Sequence, residues 1–181
     1  KLNSAGAHQW TTTFGGTDSD VGYSVAVDGS GNVYTTGQFN GTVNFGAGNV
    51  TSNGRKDFFV TKLNSSGAHQ WTTTFGGTSD ESGKSVAVDG SGNVYTTGYF
   101  NNTVNFGAGD VTSAGSYDTF VTKLNSAGAH QWTTTFGGTG AEIGSSVAVD
   151  GSGNVYTTGW FGGTVNFGAG NVTSAGSWDV S

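Results

Sequence analysis

The sequence predicts an all-β fold of β-propeller blades, with one four-stranded antiparallel blade per 61-residue repeat and three blades per chain. Three observations carry that expectation. His8, His69 and His130 are spaced by 61 residues, as are Trp10, Trp71 and Trp132, and the segment SVAVDGSGNVYTTG recurs unchanged from Ser24, Ser85 and Ser146. A fixed period of this kind marks a solenoid, a propeller or an array. Apolar residues alternate with period two and nowhere form an i, i+3, i+4 stripe, which argues strands and no helix. Gly is 34 of 181 residues and Pro is absent, a composition suited to short strands joined by Gly-rich turns.

Each element follows from its residues. His8 to Phe14 (HQWTTTF) places Trp10, Thr12 and Phe14 on one face, and the Gly15-Gly16 pair ends it. Ser24 to Asp28 (SVAVD) puts Val25 and Val27 on one face and the small Ala26 on the other. Asp28-Gly-Ser-Gly-Asn32 is dense turn chemistry. It joins this run to Val33–Phe39 as a hairpin. From Asn40 to Lys56 two short alternating pieces, Thr42 to Phe45 and Val50 to Ser52, form a minor hairpin. The strand Asp57 to Leu63 (DFFVTKL) then turns through Asn64-Ser-Ser-Gly67 into the next HQWTTTF. The expected order within one sheet is SVAVD, NVYTTG, FVTKL, HQWTTTF.

Such a sheet cannot bury both faces alone. Stacked face to face with its neighbours around an axis, it can, and that is a propeller blade. A β-helix is the alternative, but its coils are shorter, about 20–30 residues. The expected repeats are 8–68, 69–129, and 130–181 joined with 1–7, because the last strand is divided between the chain ends: Trp178-Asp179-Val180-Ser181 and Lys1-Leu2 are complementary halves of one strand. Propellers have about 4–8 blades, so three blades are expected to be half of a six-bladed ring closed by a second copy of the chain.

Composition narrows the function classes. Charged residues are 10% and the net charge is −6. Six scattered basic residues offer no phosphate-binding cluster, which speaks against nucleic acid. No run of about 18 apolar residues exists, so membrane insertion is not expected. No cysteine is present, which excludes disulfides and thiolate zinc sites. The chain starts at Lys1, without a signal-peptide pattern and without any Met, and reads as a processed product or an excised piece. A surface rich in Thr, Ser, Asn and Gly leans extracellular.

Trp71 to Gly77, Val86 to Gly98 and Asp118 to Leu124 resemble the pattern of the SBBP family, the seven-bladed β-propeller repeat of bacterial, mostly cell-surface or secreted proteins. That pattern has an aromatic strand ending in Gly-Gly, then VAVD-x-x-GNVYTTG, then an Asp-Phe-Val-x-Lys-Leu strand. The resemblance covers all three units, which are longer here by the Thr42-to-Asn53 type of segment. It implies a scaffold fold and a bacterial cell-surface or extracellular location, and no activity.

Differences between the units mark a candidate site. They concentrate in the loop after HQWTTTF, ending at Tyr23, Lys84 and Ser145, and at two further sets: Gln38, Tyr99 and Trp160, and Lys56, Tyr117 and Trp178. In a propeller of this strand order these positions share one face, while the nearly constant turns DGSGN and NSAGAHQ share the other. Tyr23, Lys84, Gln38, Tyr99, Trp160, Lys56, Tyr117 and Trp178 are therefore the candidate ligand-binding residues, because binding residues sit on loops of rigid scaffolds and aromatics favour interfaces. The competing reading is drift in unconstrained loops. Asp20, Glu81 and Glu142 are candidates for weak calcium binding, set against plain solvated loop charge. Asp28-x-Ser30-x-Asn32 lacks the Gly and Glu of a calcium loop and reads as a hairpin turn. The three His lie on different outer strands and cannot share a zinc. No catalytic set is found, so no enzyme and no cofactor are expected. Two functions remain. One is a non-catalytic module recognising glycan or a surface protein. The other is a structural or adhesive module whose partner is itself, as a homodimer.

Overall fold

The computed structural model describes every residue from Lys1 to Ser181 and contains strands, turns and no helix. The first blade is β1 (Val21–Val27), β2 (Val33–Asn44), β3 (Asn49–Leu63) and β4 (His69–Phe75), hydrogen-bonded in that order as one antiparallel sheet. The second takes β5 (Ser82–Val88) and β6 (Val94–Phe100), inserts the small hairpin of β7 (Thr103–Asn105) and β8 (Asp110–Thr112), and returns as β9 (Asp118–Leu124) and β10 (His130–Phe136). The third has β11 (Glu142–Val149), β12 (Val155–Phe161), the hairpin of β13 (Thr164–Asn166) and β14 (Asn171–Thr173), and the short β15 (Asp179–Val180). The expected strand order holds, and β1, β5 and β11 pack side by side as the innermost strands. Each complete sheet draws its outermost strand, HQWTTTF, from the sequence unit that follows.

The minor hairpin behaves differently in the three blades. In the first, β2 and β3 run on into it as one long ribbon, with only a register shift between Asn40 and Thr42. In the other two it is a separate two-stranded piece. The residue before its first strand is left-handed in every copy: Gly41 at φ 67°, Asn102 at φ 60° and Gly163 at φ 74°. Asn102 is the only non-glycine residue with positive φ, and Asn is among the few side chains that tolerate that region.

Junctions between blades repeat one set of contacts. The Trp71 indole donates to Ser126 O (3.1 Å) and the Thr73 hydroxyl to Gly128 O (2.8 Å). Val86 N donates to the Ser24 hydroxyl and Val147 N to the Ser85 hydroxyl, both at 3.2 Å. Phe58, Phe75, Phe106 and Phe120 join the first two blades in one buried cluster. Each fully buried Phe contributes roughly 1.5–3 kcal/mol. Gly128 is required twice over, since its φ is +83° and a Cβ would lie 2.7 Å from the Trp71 ring. Gly128→Ala is expected to cost about 1–3 kcal/mol, measured as a lower urea midpoint. A midpoint unchanged from the parent would show that the indole does not pack there.

Before β1, residues 1–16 form an extra outer piece. Leu2 bridges His8, Gln9 N donates to Lys1 O, and the Trp10 indole donates to Ser65 O at 3.2 Å. The piece copies the end of β3 and the whole of β4, for which no inner strands are present. The three blades form an open arc.

Candidate functional site

The two ends of the sheets carry different chemistry. At one end lie the β1–β2 and β3–β4 turns and their copies. Asp28 Oδ1 accepts from Ser30 N and Asn32 N at 2.9 Å, while Oδ2 accepts from Asn32 Nδ2 at 2.8 Å and from the Tyr34 hydroxyl at 3.0 Å. Burial pushes this carboxyl up, but the bonds from Asn32, Tyr34 and Ser30 outweigh it and hold Asp28 below the ordinary range. Asp89 and Asp150 repeat the arrangement. The Asp-x-Ser-x-Asn run is thus a turn satisfied by its own loop. Each His ring bonds the Thr three residues on, at 2.9 to 3.0 Å, and the three lie on separate strands.

The opposite end gathers the variable residues. Glu81 N donates to Lys56 O and Glu142 N to Tyr117 O, both at 2.7 Å, so the loops preceding β5 and β11 adjoin the starts of β3's core and β9. At equivalent places the three blades present different pairs. The first has Gln38 and Lys56. The second has Tyr99 edge-on to Tyr117, with ring centroids 4.9 Å apart. The third has Trp160 edge-on to Trp178 at 4.3 Å. Lys84 Nζ stands 3.6 Å from the Tyr23 ring centroid and 5.3 Å from that of Tyr99, a cation–π link from the second blade to the first.

Exposure sorts the candidates. Tyr23 and Trp178 are 42% and 55% exposed. Tyr99, Tyr117, Trp160, Lys84 and Lys56 are half-buried. Gln38 is buried, which corrects its place on the accessible face. It pairs with Val21 and Phe58 on both neighbouring strands, and its shorter side chain does not rise clear of them as the larger rings do.

The loop acids are not solvated charges, contrary to the plainer sequence expectation. Glu81 and Glu142 are fully buried. Glu81 Oε2 accepts Gly77 N at 2.8 Å and Glu142 Oε2 accepts Gly138 N at 2.9 Å. The physical reason is the Gly-Gly pair that ends each outer strand. Its inward N–H needs an acceptor, and the acid four residues on supplies one. Asp20 makes the same bond to Gly16 N (2.8 Å) but is only half-buried. No group of three or more acidic or His side chains is arranged to hold a metal ion.

Sequence reasoning missed that each buried glutamate has an acidic neighbour. Asp57 and Asp118, at the starts of the DFFVTKL-type strands, are buried too. They accept from Asn53 N (3.0 Å) and Ala114 N (2.9 Å). A Cβ on Gly76 or Gly137 would overlap these carboxylates. Burial, with the charges of Asp57 and Asp80 adding to it, pushes Glu81 up to about 7 against the bond from Gly77. One oxygen each of Asp57, Glu81 and Glu142 has no hydrogen-bond partner. The chain's one ion pair, Arg55 with Asp80 at 3.6 Å, lies beside this group and does not neutralise it. The signal was present in the sequence: an Asp opening the third strand and an acid after Gly-Gly, once per unit.

Chemically, the variable end offers a Tyr pair and a Trp pair, with the Lys84 ammonium beside Tyr23 and Tyr99. The SBBP family model, described as a β-propeller repeat, matches residues 9–43, 70–103 and 131–160, over half the chain. Each match runs from the outer strand through the two inner strands. The chain is also similar to an uncharacterized WD repeat-containing protein, L264, of Acanthamoeba polyphaga mimivirus, at 25% identity over 186 residues. That alignment takes in 85% of this chain and only 13% of the relative. With three matched repeats and three antiparallel sheets in one arc, this chain belongs to the SBBP β-propeller repeat family.

Proposed function

We propose that this repeat scaffold is a non-catalytic recognition module that binds a glycan through its variable face, outside a bacterial cell or at its surface. One observation carries the reading. A single place in the blade changes from Gln38 and Lys56 to Tyr99 and Tyr117 to Trp160 and Trp178, while the turns at the other end of the same sheets stay nearly constant. Drift alone would place polar residues at these positions as readily as Trp. Tyr and Trp supply rigid, amphipathic contact area, and Trp178, 55% exposed, presents ring surface for stacking on a sugar. Lys84, held over Tyr23, adds a hydrogen-bond donor beside Tyr23 and Tyr99.

A glycan array probed with the 181-residue chain tests this. Binding is expected, with loss of about 1–3 kcal/mol of affinity, roughly 5- to 150-fold, in Trp178→Ala and Trp160→Ala. Trp178 is exposed, so its removal is expected to leave the thermal midpoint within a few degrees. An array without hits, or hits indifferent to both substitutions, sinks the glycan reading. Binding to a protein surface that depends on the same two rings would replace glycan with protein as the target.

A further inference from the structure

The chain contains one complete blade junction, a second that lacks the outer strands of the third blade, and the two halves of a third. We propose that the third blade docks onto the first blade of a second copy of this chain, and that the reciprocal contact closes a six-bladed ring with two-fold symmetry. The inference does not depend on what the loop face binds.

Exposure identifies the two open faces. Val25 on β1 is 63% exposed, whereas its copies Val86 and Val147, covered by a preceding blade, are 5% and 7%. Tyr156 on β12 is 59% exposed, whereas Tyr34 and Tyr95, covered by a following blade, are 0% and 1%. The same side chains are thus core in two blades and surface in one. Large exposed apolar faces of this kind mark interaction sites.

A second copy of the chain meets these faces in the register of the repeat. Hydrogen bonds between successive units recur at constant spacing, and their third instances fall on residues of a second copy. Trp10 donates to Ser65 O and Trp71 to Ser126 O; Trp132 would donate to Ser4 O of the second copy. Thr12 donates to Gly67 O and Thr73 to Gly128 O; Thr134 would reach Gly6 O. The hydroxyls of Ser24 and Ser85 accept Val86 N and Val147 N; the Ser146 hydroxyl would accept Val25 N. The outer strands complete each other as well. The third blade has only β15 beyond β12, and residues 1–16 of the second copy supply the end of that strand and a whole outer strand. Leu2, exposed here, would pair with Val155 as Leu63 does with Val33 and Leu124 with Val94. Its seat is a hollow lined by Val121, Trp132 and Val155.

Native mass spectrometry and sedimentation of the 181-residue chain decide the matter. The expected species has twice the mass of the 18.3 kDa chain. Val25→Lys places a charge on the open face and is expected to give a folded monomer with the strand signature of the parent in circular dichroism. Trp132→Ala, in the second blade where residues 1–16 of the second copy would complete the third, is expected to weaken association by at least about tenfold. A folded parent monomer at tens of micromolar overturns the proposal, as does a dimer indifferent to both substitutions. A ladder of masses beyond two chains overturns the closed ring, since a contact that fails to close makes open filaments.

Discussion

Replacing Phe58 with Ala is expected to remove about 3–5 kcal/mol of folding stability. Phe58 is fully buried and stacks on Phe75 of its own blade at 5.0 Å and on Phe120 of the second blade at 4.5 Å, with Phe106 at 6.1 Å. The void left by truncation would be walled by rings from two sheets, each fixed by its own ladder and unable to collapse inward. Phe167 gives the contrast. It is half-buried in the minor hairpin of the third blade and touches Phe136 and Phe161, so Phe167→Ala is expected to cost less than half as much. Urea unfolding of both variants makes the comparison. A Phe58→Ala loss below about 1 kcal/mol would show that this ring cluster does not bind the blades together.

Stability is expected to fall as pH rises from about 5 to 8. Glu81 has its carboxyl pushed from an ordinary 4.5 to about 7 by burial, helped by Asp57 and Asp80. Glu142, Asp57 and Asp118 are pushed up for the same first reason, burial. A folded state that holds protons more tightly than the unfolded chain is favoured below the unfolded pKa and loses that advantage as pH climbs through the folded one. For Glu81 the window is therefore about 4.5 to 7, and the effect is on the order of 2–3 kcal/mol. Arg55 faces Asp80, and no cation is paired with Asp57 or Glu81. The turn acids Asp28, Asp89 and Asp150 act in the other direction, and only below their own ordinary range. Thermal midpoints are therefore expected to be higher at pH 5 than at pH 8. Glu81→Gln keeps an acceptor for Gly77 N and removes the charge, so it is expected to raise the pH 8 midpoint and leave that at pH 5 nearly unchanged. A flat profile, or an equal loss at both pH values, would refute the account.

Most of the architecture was legible because the physics that sets it is local and repeated three times. SVAVDGSGNVYTTG carries its strand alternation and its turn in consecutive residues, and Asp28 with Asn32 and Tyr34 forms the turn that their spacing suggested. Burial across the fold was not legible in the same way. Glu81 looks like any polar loop residue until Gly77 N is placed against it, and Asp57 until Gly76 lets its carboxylate in. The link between Lys84 and Tyr23 spans two units and depends on how adjacent blades lean together, which no spacing within one unit encodes. Gln38 and Tyr99 occupy equivalent positions, and only side-chain length decides which one reaches the surface.

The borrowing of each outer strand from the next unit has a genetic consequence. A crossover between misaligned copies of the coding sequence would add or remove 61 codons, wherever within the unit the exchange occurs. The product gains or loses whole blades, because every outer strand still follows a third strand and every inner hairpin still precedes one. With SVAVDGSGNVYTTG unchanged in all three units, the inserted blade meets on both sides the surfaces it already fits. Blade number in such a gene is thereby free to change in single steps without passing through an unfoldable intermediate.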